Sequence, residues 1–152
     1  MWIVYAQRPL TLEEIAEAII FEPGQREIDS GERFTDPEDI MSVCGSLVRF
    51  NKSYYRKGSP KVTLAHYPVQ EYITSERTAP DTTLSSFVRY MGPNQAHGYM
   101  ASAYMSYWSQ NFLRQDDLGS RYHLPEAFEN KYPLMEYAAK SWSYHALRSK
   151  SQ

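Results

Sequence analysis

Apolar positions recur every three or four residues in several stretches of the chain, which is the pattern of helices that bury one face. The first stretch is 12–21, and Thr11 with Glu14 forms a capping box at its beginning. A second helix is predicted after Asp36, which suits an N-cap, with Pro37 in the first helical position. Its predicted buried stripe consists of Ile40, Val43, Cys44 and Leu47.

Two short apolar runs, 46–50 and 62–66, follow the second helix and predict a β-hairpin. The polar residues 51–61 between them predict a long loop. Helix, helix and hairpin is the element order of a winged helix. After His66 a short helix is predicted, with Pro68 at its start and an apolar face made by Val69, Tyr72 and Ile73. Residues 25–35 predict an exposed connection with a short extended piece near Glu27 and Ile28.

Residues 75–93 are rich in Thr, Ser and Pro and predict a boundary between two helical units. One helix is expected from a cap at Asn94 to about Leu113, and another is expected to open at Pro133. Their predicted buried faces are Met100, Ala103, Tyr104, Tyr107 and Trp108 in the first, and Leu134, Tyr137, Ala138, Trp142 and His145 in the second. The fold class is therefore mainly α with a small β-hairpin: a winged-helix unit over 1–78, a linker over 79–93 and a helical region over 94–152.

Composition narrows the function classes. The chain has 152 residues, 22% of them charged, and a formal net charge of -2, which is typical of a soluble globular protein and not of a basic nucleic-acid binder. Cys44 is the single cysteine, so no intramolecular disulfide or cysteine-based zinc site is expected. No apolar run approaches the roughly 20 residues of a membrane span, and a cytoplasmic location is expected. The 13 tyrosines, with three tryptophans and six phenylalanines, favour a surface that packs against a partner.

Catalytic and metal motifs are not found in the sequence. No G-x-x-x-x-G-K-[ST] phosphate-binding loop and no G-x-S-x-G nucleophile elbow occurs, so no catalytic residue is assigned and the chain is expected not to be an enzyme. His97, His123 and His145 lie on separate segments without metal-ligand spacing, and each is predicted to be structural or exposed. No bound metal is expected.

Four blocks of the sequence resemble the winged-helix and following helical region of fungal NACHT-type signalling NTPases of the STAND class, which often continue into ankyrin repeats. The blocks are RPLTLEEIAEAI at 8–19, DPEDIMSVCGSLV at 36–48, LAHYPVQEYI at 64–73 and YPLMEYAAKSW at 132–142. The resemblance covers nearly the whole chain and is weakest over 25–35, 51–61 and 75–93. It implies a regulatory and interaction segment that couples a nucleotide-binding P-loop domain to a downstream repeat domain. These two domains are its expected partners.

The resemblance also nominates one residue. In such proteins a histidine within His-x-x-x-x-Glu-aromatic approaches the β-phosphate of ADP, and here the pattern runs from His66 to Tyr72 with proline at position 68, where a small polar residue is the usual choice. An imidazole can donate a hydrogen bond to a phosphate oxygen without doing chemistry itself. Because the chain has no phosphate-binding loop, no cofactor is expected in it. ADP or ATP is expected only in the full-length parent protein. The sequence leaves open whether the chain is a fragment, a truncated gene product or a standalone module.

Duplex DNA binding is the alternative function, since winged helices often bind DNA. Five basic residues on or beside the hairpin loop could contact a phosphate backbone: Arg49, Lys52, Arg56, Lys57 and Lys61. Against this, the second helix opens with Asp36, Glu38 and Asp39, at the position where a recognition helix meets the phosphate-lined groove. DNA is therefore expected to be an unlikely partner, and a membrane is not expected to be one.

Overall fold

The computed structural model describes residues 1–24, 31, 33–51, 60–75, 92–112 and 130–149. In its first half a helix, a strand, two helices and two strands follow one another, which is a winged-helix order. These elements are α1 (Trp2–Tyr5), β1 (Leu10–Thr11), α2 (Leu12–Ile20), α3 (Ile40–Cys44), β2 (Val48–Asn51) and β3 (Lys61–Leu64). Three more helices follow, namely α4 (Tyr67–Thr74), α5 (Pro93–Phe112) and α6 (Met135–Ser149). The predicted fold class, mainly helical with a small antiparallel sheet, is confirmed.

The capping box predicted for α2 is present. The Thr11 hydroxyl accepts a hydrogen bond from the Glu14 amide, and the Glu14 carboxylate accepts one from the Thr11 amide at 2.8 Å. These two bonds satisfy amides that the first turn of a helix leaves without partners. The helix buries Leu12, Ile15 and Ala18 and ends before Phe21, which is also buried.

The buried stripe predicted for the second helix is wrong for two of its four members. Ile40 is completely buried and Cys44 is partly buried, but Val43 is 74% exposed and Leu47 is 52% exposed. Short 3-10 turns at Pro37–Asp39 and Gly45–Leu47 flank α3. Because a 3-10 turn has fewer residues than an α-turn, a stripe drawn at α-helical spacing leaves the buried face.

The hairpin is confirmed, and it belongs to a three-stranded sheet with the order β1-β3-β2. Both pairings are antiparallel, with Leu10 opposite Val62 and Val48 opposite Leu64. The strands lie one or two residues from the predicted runs, and the two-residue β1 is too short to produce an alternating pattern. The predicted extended piece near Glu27 and Ile28 lies outside the described residues.

The predicted helix after His66 is confirmed as α4, with Pro68 in its first turn. Val69 and Ile73 are partly buried, whereas Tyr72 is 67% exposed, so the predicted apolar face is correct for two of its three residues. Tyr72 points its ring away from the core although its spacing fits the face.

The two longer helices are also confirmed, with small corrections at their ends. Helix α5 begins at Pro93, so Asn94 lies inside its first turn instead of capping it. Helix α6 begins at Met135, and Pro133 lies in the preceding turn. Most predicted inward positions are buried, but Trp108 is only partly buried and Trp142 is 38% exposed.

One hydrophobic cluster contains residues from both halves of the chain. The Phe21 ring meets the Tyr107 ring edge to face at 5.2 Å, and the Trp2 ring lies 5.5 Å from that of Tyr104. The Gln7 amide donates a 2.7 Å hydrogen bond to the Tyr137 hydroxyl. The winged-helix elements therefore pack directly on α5 and α6. The predicted division at 78 and 94 stays a prediction, since most of the predicted linker lies outside the described residues.

Candidate functional site

A cavity of about 350 Å³ lies beside His66, between the N-terminal segment, the sheet and α4. Helix α1 and the residues after it form one wall, β2 and β3 form the floor, and the start of α4 forms the opposite wall. Its lining comprises Ile3, Ala6, Gln7, Arg8, Pro9, Arg49, Val62, Thr63, Leu64, Ala65, His66, Tyr67 and Gln70. The lining combines apolar residues such as Ile3, Val62 and Leu64 with polar or cationic ones such as Arg49 and His66, a mixture that is typical of small ligand sites.

His66 occupies the junction between β3 and α4. It is the N-cap residue of α4 in an extended backbone conformation, and its side chain makes no capping hydrogen bond. The imidazole is exposed to solvent. Because its ring nitrogens are not used to cap the helix, His66 can donate a hydrogen bond to a group that enters the cavity.

Arg49 gives the cavity a second hydrogen-bond donor and a positive charge. It is exposed on β2, and its Nε donates to the Thr63 hydroxyl at 3.3 Å across the β2–β3 pair. The charge of Arg8, by contrast, is balanced within the chain. Its two terminal nitrogens donate to both carboxylate oxygens of Glu14, at 2.8 and 2.6 Å. No carboxylate is among the described residues that line the cavity, so the site favours an anionic group.

The structure brings together only part of the predicted basic set. Arg49 lines the cavity, while Lys61 is exposed on β3 and is not a lining residue. Lys52, Arg56 and Lys57 lie outside the described residues. The joint appearance of Arg49 and His66 in one cavity was not predicted, because 17 positions and a long loop separate them in the sequence.

The acidic opening of the second helix is exposed. Asp36, Glu38 and Asp39 all face solvent, and Asp36 accepts a 2.8 Å hydrogen bond from the Glu38 amide. Next to them stand the exposed side chains of Val43 and Leu47. A recognition helix that carries acidic and apolar side chains suits a protein surface better than a polyphosphate backbone.

Two histidines that the sequence places on separate segments are in contact. His97 on α5 and His145 on α6 are both buried, and their Nδ1 atoms lie 2.8 Å apart. His123 lies outside the described residues. In the part of the chain that the structure describes, no group of three or more His, Cys, Asp or Glu side chains could hold a metal ion. The pairing could have been suspected only from His145 lying on the inward face of α6, which the helical spacing does indicate.

Within the described residues, no helix has the length and apolar character to cross a membrane.

The element order, the three-stranded sheet and the wing hairpin define the first part of this chain as a winged-helix domain. A family model described as "GPI inositol-deacylase, winged helix domain" matches residues 1–85. The chain belongs to this winged-helix family.

A longer fungal protein is similar to almost the whole chain. The azaphilone pigments biosynthesis cluster protein L of Monascus ruber is 23% identical over 150 residues, which cover 97% of this chain. The chain spans about 30% of the length of that relative. No solved structure matches.

Proposed function

We propose that this chain is a non-enzymatic regulatory and interaction segment of a NACHT-type nucleotide switch, in which it couples a P-loop domain to a downstream repeat domain. His66 then contacts the phosphate end of an adenine nucleotide held by the P-loop domain. The observation that carries this proposal is the cavity that combines His66 with Arg49 and has no carboxylate among its described lining residues. The resemblance of LAHYPVQEYI to the switch family supports it. The much longer relative, of which this segment spans about 30%, is consistent with a part of a larger chain.

The cavity suits a partial contact with a nucleotide. At about 350 Å³ it is near the small end of ligand pockets, so it can receive a phosphate-bearing end while another domain holds the remainder. Imidazole and guanidinium groups both donate to phosphate oxygens, and hydrogen bonds to a charged acceptor are stronger than neutral ones.

The packing of α1 supplies a route by which occupancy could bias the rest of the molecule. Ile3 of α1 and Ala6, the residue that follows this helix, line the cavity, and Trp2 of α1 packs on the rings of Tyr99 and Tyr104 in α5. A group bound in the cavity would therefore favour one position of α1 against α5. A switch needs such an element, one whose arrangements differ in affinity for the ligand.

The first test uses a polypeptide that joins this chain to the P-loop domain that the proposal places before it in the parent protein. Replacing His66→Gln is expected to raise the dissociation constant for ADP by about 10-fold to 150-fold, since a lost hydrogen bond to a charged group costs about 1.5–3 kcal/mol. Glu71→Gln, on the exposed face of α4 and outside the cavity lining, is the matched control and is expected to leave ADP affinity unchanged. Equal affinity of the His66→Gln variant and the unmodified polypeptide would reject the sensor role.

Two further observations decide the context. Genomic sequence without an in-frame G-x-x-x-x-G-K-[ST] segment upstream would contradict the proposal. Titration calorimetry of the 152-residue chain alone is expected to detect no ADP binding, because one histidine and one arginine do not replace a phosphate-binding loop. Tight binding of ADP by the chain alone would show that it is not the partner segment described above.

A further inference from the structure

We propose that the buried His97–His145 pair is an acid-sensitive latch, which holds α5 against α6 at neutral pH and releases the two helices when both rings become protonated. The pair is independent of the cavity beside His66. It lies inside the packing of the two long helices, and its chemistry does not depend on the proposed nucleotide partner.

The hydrogen bond of the pair requires a bare nitrogen on one ring. With Nδ1 of His97 at 2.8 Å from Nδ1 of His145, one nitrogen carries the proton and the other accepts it. Two neutral rings, or one neutral and one protonated ring, can make this bond. When both rings are protonated, two N–H groups point at each other at hydrogen-bond distance, and the rings must separate.

Because both rings are buried, the surroundings do not stabilise the doubly protonated pair. His145 is fully buried, and its Nε2 has no hydrogen-bond partner among the described residues. A second positive charge at this buried position would therefore have no hydrogen-bond acceptor for Nε2 among the described residues. His97 is nearly as buried, with 8% of its surface exposed.

The neighbouring groups favour the uncharged rings. Tyr5 from α1, Tyr104 from α5 and Tyr144 from α6 pack their rings on the pair at 5.0–5.9 Å, and tyrosines are neutral in this pH range. Arg148 on α6 is the charged group that acts on both rings, and it is a cation. Burial first, then His97 and Arg148, lowers the pKa of His145 to about 4, while burial and Arg148 lower that of His97.

The direction of the pH effect follows from these pKa values. A histidine whose pKa is lower in the folded than in the unfolded chain binds more protons when unfolded, so acid favours unfolding. The contribution is complete above the unfolded pKa near 6.5 and is lost as the pH falls from there toward 4. His145 alone should raise the unfolding equilibrium constant about 20-fold between pH 7 and pH 5.

The latch also reaches the winged helix. Tyr5 meets the His97 ring edge to face at 5.5 Å, and Ile3 of the same helix lines the cavity described above. Movement of the His97 ring away from His145 would therefore disturb a contact that positions α1. Acid would loosen the helical region and the cavity wall together.

The direct test is a histidine NMR titration of the unmodified chain labelled with 15N-histidine, from pH 7.5 to 4.5. His145 is expected to stay neutral until well below pH 6, and His97 is expected to titrate below its ordinary value. Amide exchange in α5 and α6, after correction for intrinsic rates, is expected to accelerate only as the pair becomes protonated. Titration of His97 and His145 at the ordinary value near 6.5 would overturn the latch.

The second test compares denaturation at pH 7 and pH 5. The double variant His97→Asn, His145→Asn keeps a hydrogen-bonding nitrogen or oxygen near each Nδ1 position but cannot titrate. The ratio of its unfolding equilibrium constants at pH 5 and pH 7 should be about 20 times smaller than the same ratio for the unmodified chain. His66→Asn, at an exposed position, should leave this ratio unchanged. Identical pH profiles for the double variant and the unmodified chain would reject the proposal. If the double variant does not fold, the NMR titration alone decides.

Discussion

At the scale of single residues, the buried carboxylates of α2 show how distant side chains decide what a helix face can contain. Glu14 is 5% exposed and accepts hydrogen bonds from Arg8. Glu17 is 4% exposed and accepts hydrogen bonds from Arg33 at 2.7 Å and from the Tyr107 hydroxyl at 2.8 Å. Burial raises the pKa of Glu17, and the bonds from Tyr107 and Arg33 act in the opposite direction. The spacing of α2 predicts its apolar face but not these partners, one of which is 90 positions away.

The N-cap of α2 gives a prediction at this scale. Thr11→Ala removes the hydroxyl that accepts from the Glu14 amide, and we expect a loss of about 1 kcal/mol in the free energy of unfolding, measured by urea denaturation. Thr35→Ala, at an exposed position outside any helix, is the control and should change stability by less than about 0.5 kcal/mol. Equal effects of the two substitutions would show that the cap does not stabilise α2.

At the scale of elements, α3 is where the sequence pattern and the structure differ most. A helical stripe assumes a constant turn, but this segment passes from a 3-10 turn to five α-helical residues and back to a 3-10 turn. Gly45, with φ of +53°, begins the second turn in a left-handed conformation that glycine adopts most readily. Among the described side chains of this segment, Ile40 is fully buried and Cys44 partly buried, while Val43 and Leu47 form an outward face.

This difference can be measured with matched truncations in α3. Ile40→Ala is expected to reduce the free energy of unfolding by about 2–4 kcal/mol, because it opens a cavity in the core. Val43→Ala should cost less than about 0.5 kcal/mol, because that side chain already faces solvent. Similar losses from both substitutions would place Val43 in a buried interface and contradict the exposed face.

At the scale of the whole molecule, the winged helix and the long helices are joined by a common core. Trp2, Phe21 and Tyr107 belong to the same cluster as Leu134 and Tyr137. Because of this common core, a movement of α1 would directly displace residues of α5 and α6. Both the proposed switch and the proposed latch require such coupling. The net charge of -2 and the acidic start of the second helix disfavour binding of polyanions to the surface of the molecule.

The charge distribution predicts the outcome of a DNA-binding test. In gel-shift assays at 50 mM salt we expect no retardation of duplex DNA, because Asp36, Glu38 and Asp39 stand where a recognition helix would approach phosphates. A shift that weakens steeply with salt and disappears when Arg56 and Lys57 are replaced would instead support the DNA-binding alternative.

The candidate site could be predicted only in part. His66 is nominated by the resemblance to the switch family, and its place between β3 and α4 follows from the adjacent strand and helix signals. Its neighbours Arg49 and Arg8 come from other elements, and their distance from His66 depends on strand register and on the path of the N-terminal segment. The two-residue strand β1, which fixes that segment against β3, is too short for any alternation to reveal it.

The sequence by itself determined the elements that depend on neighbouring residues: the capped helix α2, the hairpin, α4 and the inward faces of α5 and α6. Periodicity and capping act within a few residues, so these features are visible without a fold. Tertiary structure alone decided the outward turn of Val43, the common core and the contact of His97 with His145 across 48 positions. Those outcomes depend on which faces meet when helices pack, and the free energy of burying a side chain is set by partners that local spacing does not specify.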